Sequence, residues 1–153
     1  MCTHCNQATG YARVANKITN YLVTLPGVEV VYYAFQNYPN QHIEDRFIDP
    51  RIKFVDALEL DPVSPKGFGD LGIVPTFEAE KPDVVFLYND LPVCCAVLQM
   101  LQKASHKSYK TIAYLDIVYP YEDLERYEYL RNNLDVCLTF LECWRRHLVE
   151  DLG

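Results

Sequence analysis

KPDVVFLYNDLPVCCAVLQMLQK, residues 81–103, decides the fold. DVVFLY is a short, continuous apolar run, the pattern of a strand buried on both faces. Asp90 follows it in position to cap a helix, with Pro92 near the first turn. Residues 91–103 are apolar nearly all round, so this helix is expected to be buried. A buried strand running straight into a helix is the first half of a βαβ unit. KTIAYLD (110–116) supplies the returning strand.

The same alternation extends in both directions. YEDLERYEYLRNN (121–133) reads as a helix, DVCLTF (135–140) as a strand, and ECWRRHLVEDL (142–152) as a helix with Gly153 at its C′ position. Upstream, YARVANKITNYLVTL (11–25) places Val14, Ile18, Tyr21, Leu22 and Leu25 on one helical face, opposite Arg13, Lys17, Asn20 and Thr24. Pro26-Gly27 stops it. VEVVYYAF (28–35) and IKFVDAL (52–58) read as strands, joined by a polar connection over 36–50. ELDPVSPKGFGDLG (59–72) reads as a long surface loop, followed by a short helix around 73–81. The order α-β-β-(α)-β-α-β-α-β-α predicts an α/β fold: a Rossmann-like, mostly parallel sheet with helices on both faces.

This series lacks its opening strand. ATGYAR (8–13) is a Gly-centred turn entering a helix, and in α/β proteins such a turn follows a buried strand. Only MCTHCNQAT precedes Gly10, and it is polar and short. The reading is truncation: Cys2-Thr3-His4 is the tail of a first strand whose body lies upstream. In a doubly wound sheet that strand usually sits in the middle. An open strand edge of that kind is a route to homodimers or aggregates.

At 153 residues the chain is expected to form a single domain able to bury a core without disulfides or metal. Fourteen Lys+Arg against 21 Asp+Glu give a net charge of −7, which argues against nucleic acid or an anionic membrane as the main partner. No stretch approaches the length of a membrane span and no signal peptide opens the chain, so a soluble, cytoplasmic protein is expected. Four of the six cysteines lie in apolar or helical contexts, the usage of reduced core thiols. CTHC (2–5) has the spacing of half a zinc site or a redox pair. No second CxxC or HxxxH completes it, so no metal is expected.

Ligands of open α/β sheets bind at the carboxyl ends of the strands. His4, Asn6, Gln7, Thr9, Gly10, Tyr11 and Arg13 lie after the first strand, Asn89 and Asp90 after DVVFLY, Asp116 and Tyr119 after TIAYL, and Glu142 and Trp144 after DVCLTF. Gly10 at a helix start lets backbone N–H groups approach an anion such as a phosphate, or is a turn glycine. Asn89 and Asp90 suit sugar hydroxyls or a base, or else cap the helix. Asp116 is a candidate general base or electrostatic stabiliser, or a loop-start residue. Glu142 binds a ligand or favours its own helix N-terminus. His147 reads as a surface residue, and His42 and His106 lie in loops with no specific signal.

GYARVANKITNYL, KPDVVFLYND, KTIAYLDIVYPYED and TFLECWRRHLVEDLG, in this order and spacing, resemble the N-terminal half of a glycosyltransferase of GT-B architecture. The likeness is to the group 1 (family 4) enzymes, including versions from large DNA viruses of algae and protists, and it covers nearly the whole chain. The resemblance implies a hexosyltransferase-type enzyme with two Rossmann-like domains facing across a cleft. The N-terminal one, matched here, mainly binds the sugar or glycan acceptor. The C-terminal one binds the nucleotide-sugar co-substrate and is absent from this sequence, to be supplied in cis or in trans. By the same likeness Gly10, Tyr11 and Arg13 match the glycine loop that reaches toward the donor phosphates. Asp116 matches the family's His or acidic position, and Glu142 a Ser or Glu presented at the cleft. The rival expectation is a non-catalytic α/β binding or interaction module.

Overall fold

The computed structural model describes residues 1–42, 46–117 and 123–151. The chain divides into two compact units, Met1–Glu80 and Lys81–Gly153. Each is an α/β unit built on an all-parallel three-stranded sheet with alternating helices, a Rossmann-like arrangement.

In the first unit the order is β1 (Cys2–Thr3), β2 (Val31–Phe35) and β3 (Lys53–Asp56), with β2 in the middle. Cys2-Thr3 thus is a strand, as the reading of MCTHC as a strand tail requires: Cys2 lies opposite Ala34 and Thr3 opposite Phe35. β2 is buried on both faces. Tyr32 and Ala34 point one way, Tyr33 and Phe35 the other, and all four are at most 2% exposed. The Tyr32 hydroxyl donates to Thr3 O and the Tyr33 hydroxyl donates to Gly69 O at 2.7 Å, so neither buried phenol is left without an acceptor.

Helix α1 (Gly10–Leu22) starts at an N-cap made by Thr9, whose hydroxyl accepts from Ala12 N at 3.1 Å. Its buried residues are Ala12, Ala15 and Asn16. The expected apolar face is corrected accordingly: Tyr21 is 64% exposed, and Val14, Ile18 and Leu22 are half-buried. Small alanines form the innermost stripe. Asn16 is tolerated inside because its Nδ2 donates to Phe47 O at 2.8 Å.

The expected strand over 52–58 ends at Asp56: α2 (Ala57–Leu60) takes its last two residues and the first two of the stretch read as a loop, and α3 (Asp70–Glu80) starts in the last three residues of that stretch. Gly72 reads as loop punctuation in the sequence. In the structure it is a helical residue whose missing Cβ would come within 2.6 Å of the Tyr33 hydroxyl and 2.8 Å of Leu60. Its smallness lets α3 approach β2 and α2. Ile73 and Phe77 follow on the buried side, and Pro75 faces solvent.

The second unit contains β4 (Val84–Asn89), α4 (Leu91–Leu101), β5 (Lys110–Leu115), α5 (Leu124–Asn133), β6 (Val136–Thr139) and α6 (Glu142–Arg146), with β5 central. α4 is capped by Asp90, which accepts from Val93 N at 3.2 Å, and buries Cys94, Cys95, Val97, Leu98 and Leu101. The expected final helix is α-helical only to Arg146 and continues as a π-helical turn over His147–Asp151. Tyr119, the Tyr121-Glu122 start expected for α5, and Gly153 lie outside the described residues. β6 departs from its reading in exposure: Val136 and Leu138 are each more than 40% exposed. None of the six cysteines is in a disulfide. Cys2, Cys5, Cys94 and Cys95 are buried, and Cys137 and Cys143 are exposed. No described helix is long and apolar enough to cross a membrane.

The start of β5 carries an acid-sensitive clamp. Asp135 accepts from Thr111 N at 2.8 Å, from the Thr111 hydroxyl at 3.0 Å and from Lys110 Nζ at 2.7 Å. Lys110 and these hydrogen bonds hold its carboxyl down at about 2. A carboxyl depressed on folding contributes stability above its unfolded value, near pH 4, and that contribution disappears as pH falls toward 2. The Asp135→Asn variant should therefore show a smaller loss of melting temperature between pH 5 and pH 2 than the parent chain. Parallel losses in the two would remove Asp135 from this account.

Candidate functional site

The carboxyl ends of the second sheet bring together three of the sequence-predicted residues. Asn89 ends β4 and is 6% exposed. Its Oδ1 accepts from Asp90 N at 3.0 Å, and its backbone carbonyl accepts from Asp116 N at 3.3 Å. Because Asp90 N–H is a donor, Oδ1 must face it, which leaves Nδ2 as the amide's other end. That Nδ2 is buried with no hydrogen-bond partner among the described residues. An orphaned donor of this kind costs about 1–3 kcal/mol unless something supplies an acceptor. Asp116 is half-buried one residue past Leu115, the register partner of Asn89, and its carboxylate makes no hydrogen bond or ion pair among the described residues. Asp90 caps α4, the structural alternative weighed for it.

Glu142 stands apart from this group. It lies in the first turn of α6, past β6, and its carboxylate pairs with Arg145 at 2.6 Å and 2.8 Å. Arg145 holds its pKa below the usual carboxylate value. A ligand at Glu142 would have to compete with that local pair.

Gly10, Tyr11 and Arg13 belong to the first unit, together at the start of α1. Arg13 is exposed, and Tyr11 is half-buried with its carbonyl accepting from Cys2 Sγ at 3.8 Å. Gly10 has neither a left-handed backbone nor a neighbour that a Cβ would meet within 4 Å. The fold therefore does not require glycine here. Gly10→Ala is expected to leave stability unchanged or raise it by up to about 1 kcal/mol, since alanine is the better helix former. If the open space above Gly10 serves a ligand's approach, the same variant weakens anion binding while melting no earlier. Unaltered binding of inorganic pyrophosphate would return Gly10 to the role of a turn residue.

The first sheet's carboxyl edge holds a constellation of which sequence reading singled out only His4. His4 follows β1, Asn37 lies two residues past β2, and Asp56 ends β3. Asn37 Nδ2 donates to Asp56 Oδ2, and His42 Nε2 lies 2.7 Å from Asn37 Oδ1. The His4 and His42 rings stack 5.8 Å apart and 9° from parallel, with Phe54 edge-on to His4 at 4.9 Å. Burial is the main cause holding the His4 imidazole below its ordinary pKa; Asp56 opposes this and His42 adds to it. The signal available in sequence was positional: Asn37 and Asp56 follow strands by the same rule that selected Asn89 and Asp116.

Among the described residues no group of three or more His, Cys, Asp or Glu could hold a metal ion, and CTHC forms no such cluster. A cavity of about 670 Å³ lies in the second unit under α5, lined by Leu115, Tyr127, Leu130, Leu134, Cys137 and Leu148. Its apolar lining suits packing better than the polar chemistry at the strand ends. No protein-family model matches the sequence, and no curated protein matches it.

Proposed function

We propose that this chain is the acceptor-side half of a GT-B-type sugar transferase. The complete enzyme would move a sugar from a nucleotide-sugar to an acceptor hydroxyl. The reading draws on the sequence resemblance. It is supported by the Rossmann-like units and by polar groups gathered at the carboxyl ends of parallel strands. The observation that carries it is Asn89, a buried amide donor with no partner among the described residues, at the strand end where Asp116 N donates to the Asn89 carbonyl. A hydroxyl bound at this strand end would accept from the amide and donate to the Asp116 carboxylate. Asp116 would accept the hydroxyl's proton as general base, and Asn89 would fix its position.

The test is a titration of the isotope-labelled chain with nucleotide-sugars and simple saccharides, following the Asn89 side-chain amide. Saturable displacement of that resonance by a saccharide, abolished in Asp116→Leu, is the expected result. If no saccharide or nucleotide-sugar moves it, the transferase reading falls. The chain alone is expected to give no measurable sugar transfer, because the donor-binding half is not in this sequence. Turnover by the chain alone, checked by product mass, would contradict that assignment of roles.

A further inference from the structure

The polar cluster of the first unit has a donor and acceptor pattern that follows from its hydrogen-bond partners. Asp56 presents a carboxylate, which only accepts, so Asn37 must turn its NH₂ toward it. Asn37 Oδ1 then faces His42, so Nε2 of His42 carries the hydrogen and donates at 2.7 Å. In the neutral ring this leaves His42 Nδ1 as a bare acceptor. At His4 the backbone N–H of Asn6 donates to Nδ1 at 3.2 Å. The neutral His4 ring therefore carries its hydrogen on Nε2, which has no acceptor among the described residues.

A third group lies beside them. Gln7 is 1% exposed and pairs with His42 as an isolated antiparallel bridge, which sets the two side chains next to each other. Its Nε2 donates to Tyr38 O at 3.1 Å, so Oε1 is the remaining end, and that oxygen is buried with no partner among the described residues. The backbone here is strained as well. Gln36, between β2 and Asn37, has φ 58°, a left-handed conformation that strains a non-glycine residue and recurs at ligand sites. It turns the chain at the end of β2, just before the residue that joins Asp56 to His42.

We infer that His4, Gln7 and His42 form a binding site for a neutral polyhydroxyl ligand, with one ligand hydroxyl donating to His42 Nδ1. The ligand must bring hydrogens to two acceptors, His42 Nδ1 and Gln7 Oε1, and a lone pair to one donor, His4 Nε2–H. Phosphomonoester dianions and carboxylates have no hydrogen to give the acceptors. An ammonium has no lone pair for His4. Hydroxyl groups do both. A planar amide also does both, but the imidazoles are stacked in separate planes, which hydroxyls on neighbouring tetrahedral carbons meet more easily. Asp56, acting through Asn37, holds His42 in the tautomer that accepts a proton from the ligand, the logic by which a carboxylate orients a general base. This inference does not rest on the transferase reading, which concerns Asn89 and Asp116 in the other unit.

Long-range proton–nitrogen spectra of the labelled chain test it without any variant. Both His4 and His42 should appear as Nε2–H tautomers at neutral pH. Titration with myo-inositol should move the His42 Nδ1 resonance saturably in the millimolar range, while acetate and methylammonium leave it in place. Asn37→Leu should weaken the inositol response about tenfold, the loss that one hydrogen bond implies, while Asn89→Leu leaves it unchanged. A His42 Nδ1–H tautomer, an absent inositol response, or a stronger response to acetamide would each overturn the proposal. A response at the histidines with none at Asn89 would retain this site and remove the transferase reading; the reverse would do the opposite.

Discussion

Gly69→Ala is expected to lower stability by about 3 kcal/mol, with a melting temperature about 10 °C below that of the parent chain. Two causes add. Gly69 has φ +62°, a backbone in which a Cβ costs about 1–2 kcal/mol. The added carbon would also sit 2.5 Å from Ala57 O, 2.8 Å from Ala57 Cβ and 2.9 Å from the Tyr33 hydroxyl. Ala57 O is backbone at the start of α2, so it cannot swing away as the tip of a side chain would. The Tyr33 hydroxyl donates to Gly69 O, and a shift there disturbs a buried hydrogen bond. Gly27→Ala separates the causes, because Gly27 has φ +73° but nothing within 4 Å of a Cβ. It should cost only about 1 kcal/mol. Urea unfolding of both variants checks the pair. Equal losses would mean that the clash at Ala57 is relieved at little cost.

Phe35→Ala is expected to cost about 3–5 kcal/mol, the range for truncating a buried phenylalanine. Phe35 is 1% exposed, and its ring meets Tyr33 at 5.7 Å and Phe68 at 5.3 Å, both edge to face. Phe68 belongs to the Gly-rich segment between α2 and α3, so this ring ties that segment to the central strand. Phe35→Leu keeps most of the volume and should cost less than about 1.5 kcal/mol. The effect on the polar cluster is separate from stability. Phe35 O accepts from His4 N at 2.7 Å, and the next two residues are Gln36 and Asn37. A folded Phe35→Leu chain should keep both histidine tautomers, whereas a changed tautomer would show that the ring also positions the strand end.

The strands were legible because their signal is local. VVYYAF, DVVFLY and TIAYL are runs that only a buried strand explains, and all three are strands in the structure. β1 is two residues long, below what periodicity detects; it was reached through topology alone. The start of α3 was lost because Gly72 carries the same letter whether it turns a chain or admits a close helix. In α1 the large apolar residues drew attention from Ala12 and Ala15, which have little side chain but lie closest to the core. The exposure of Val136 and Leu138 could not be read from composition, since the same letters fill buried strands.

The site was legible only where function follows strand ends. Asn89 and Asp116 are 27 residues apart in sequence, yet β4–β5 pairing sets Asn89 opposite Leu115, the residue before Asp116. Asn37 and Asp56 meet through the β2–β3 register, with Ala34 opposite Asp56, and through the left-handed turn at Gln36. His42 joins them by pairing with Gln7. None of these three relations leaves a trace in residue spacing.

The four buried sulfurs give the molecule a built-in clock. Cys2 and Cys5 are sealed in the first unit, Cys94 and Cys95 in the second, and burial pushes Cys2 up to about 12 and Cys95 to about 11. A thiol reagent attacks only a thiolate it can reach, so each of these sulfurs is silent until its own surroundings open. Cys137 and Cys143 lie at the surface and mark time zero. Pulses of an alkylating reagent, followed by mass analysis of the two halves, would therefore record how often each unit opens, with no dye or engineered probe attached.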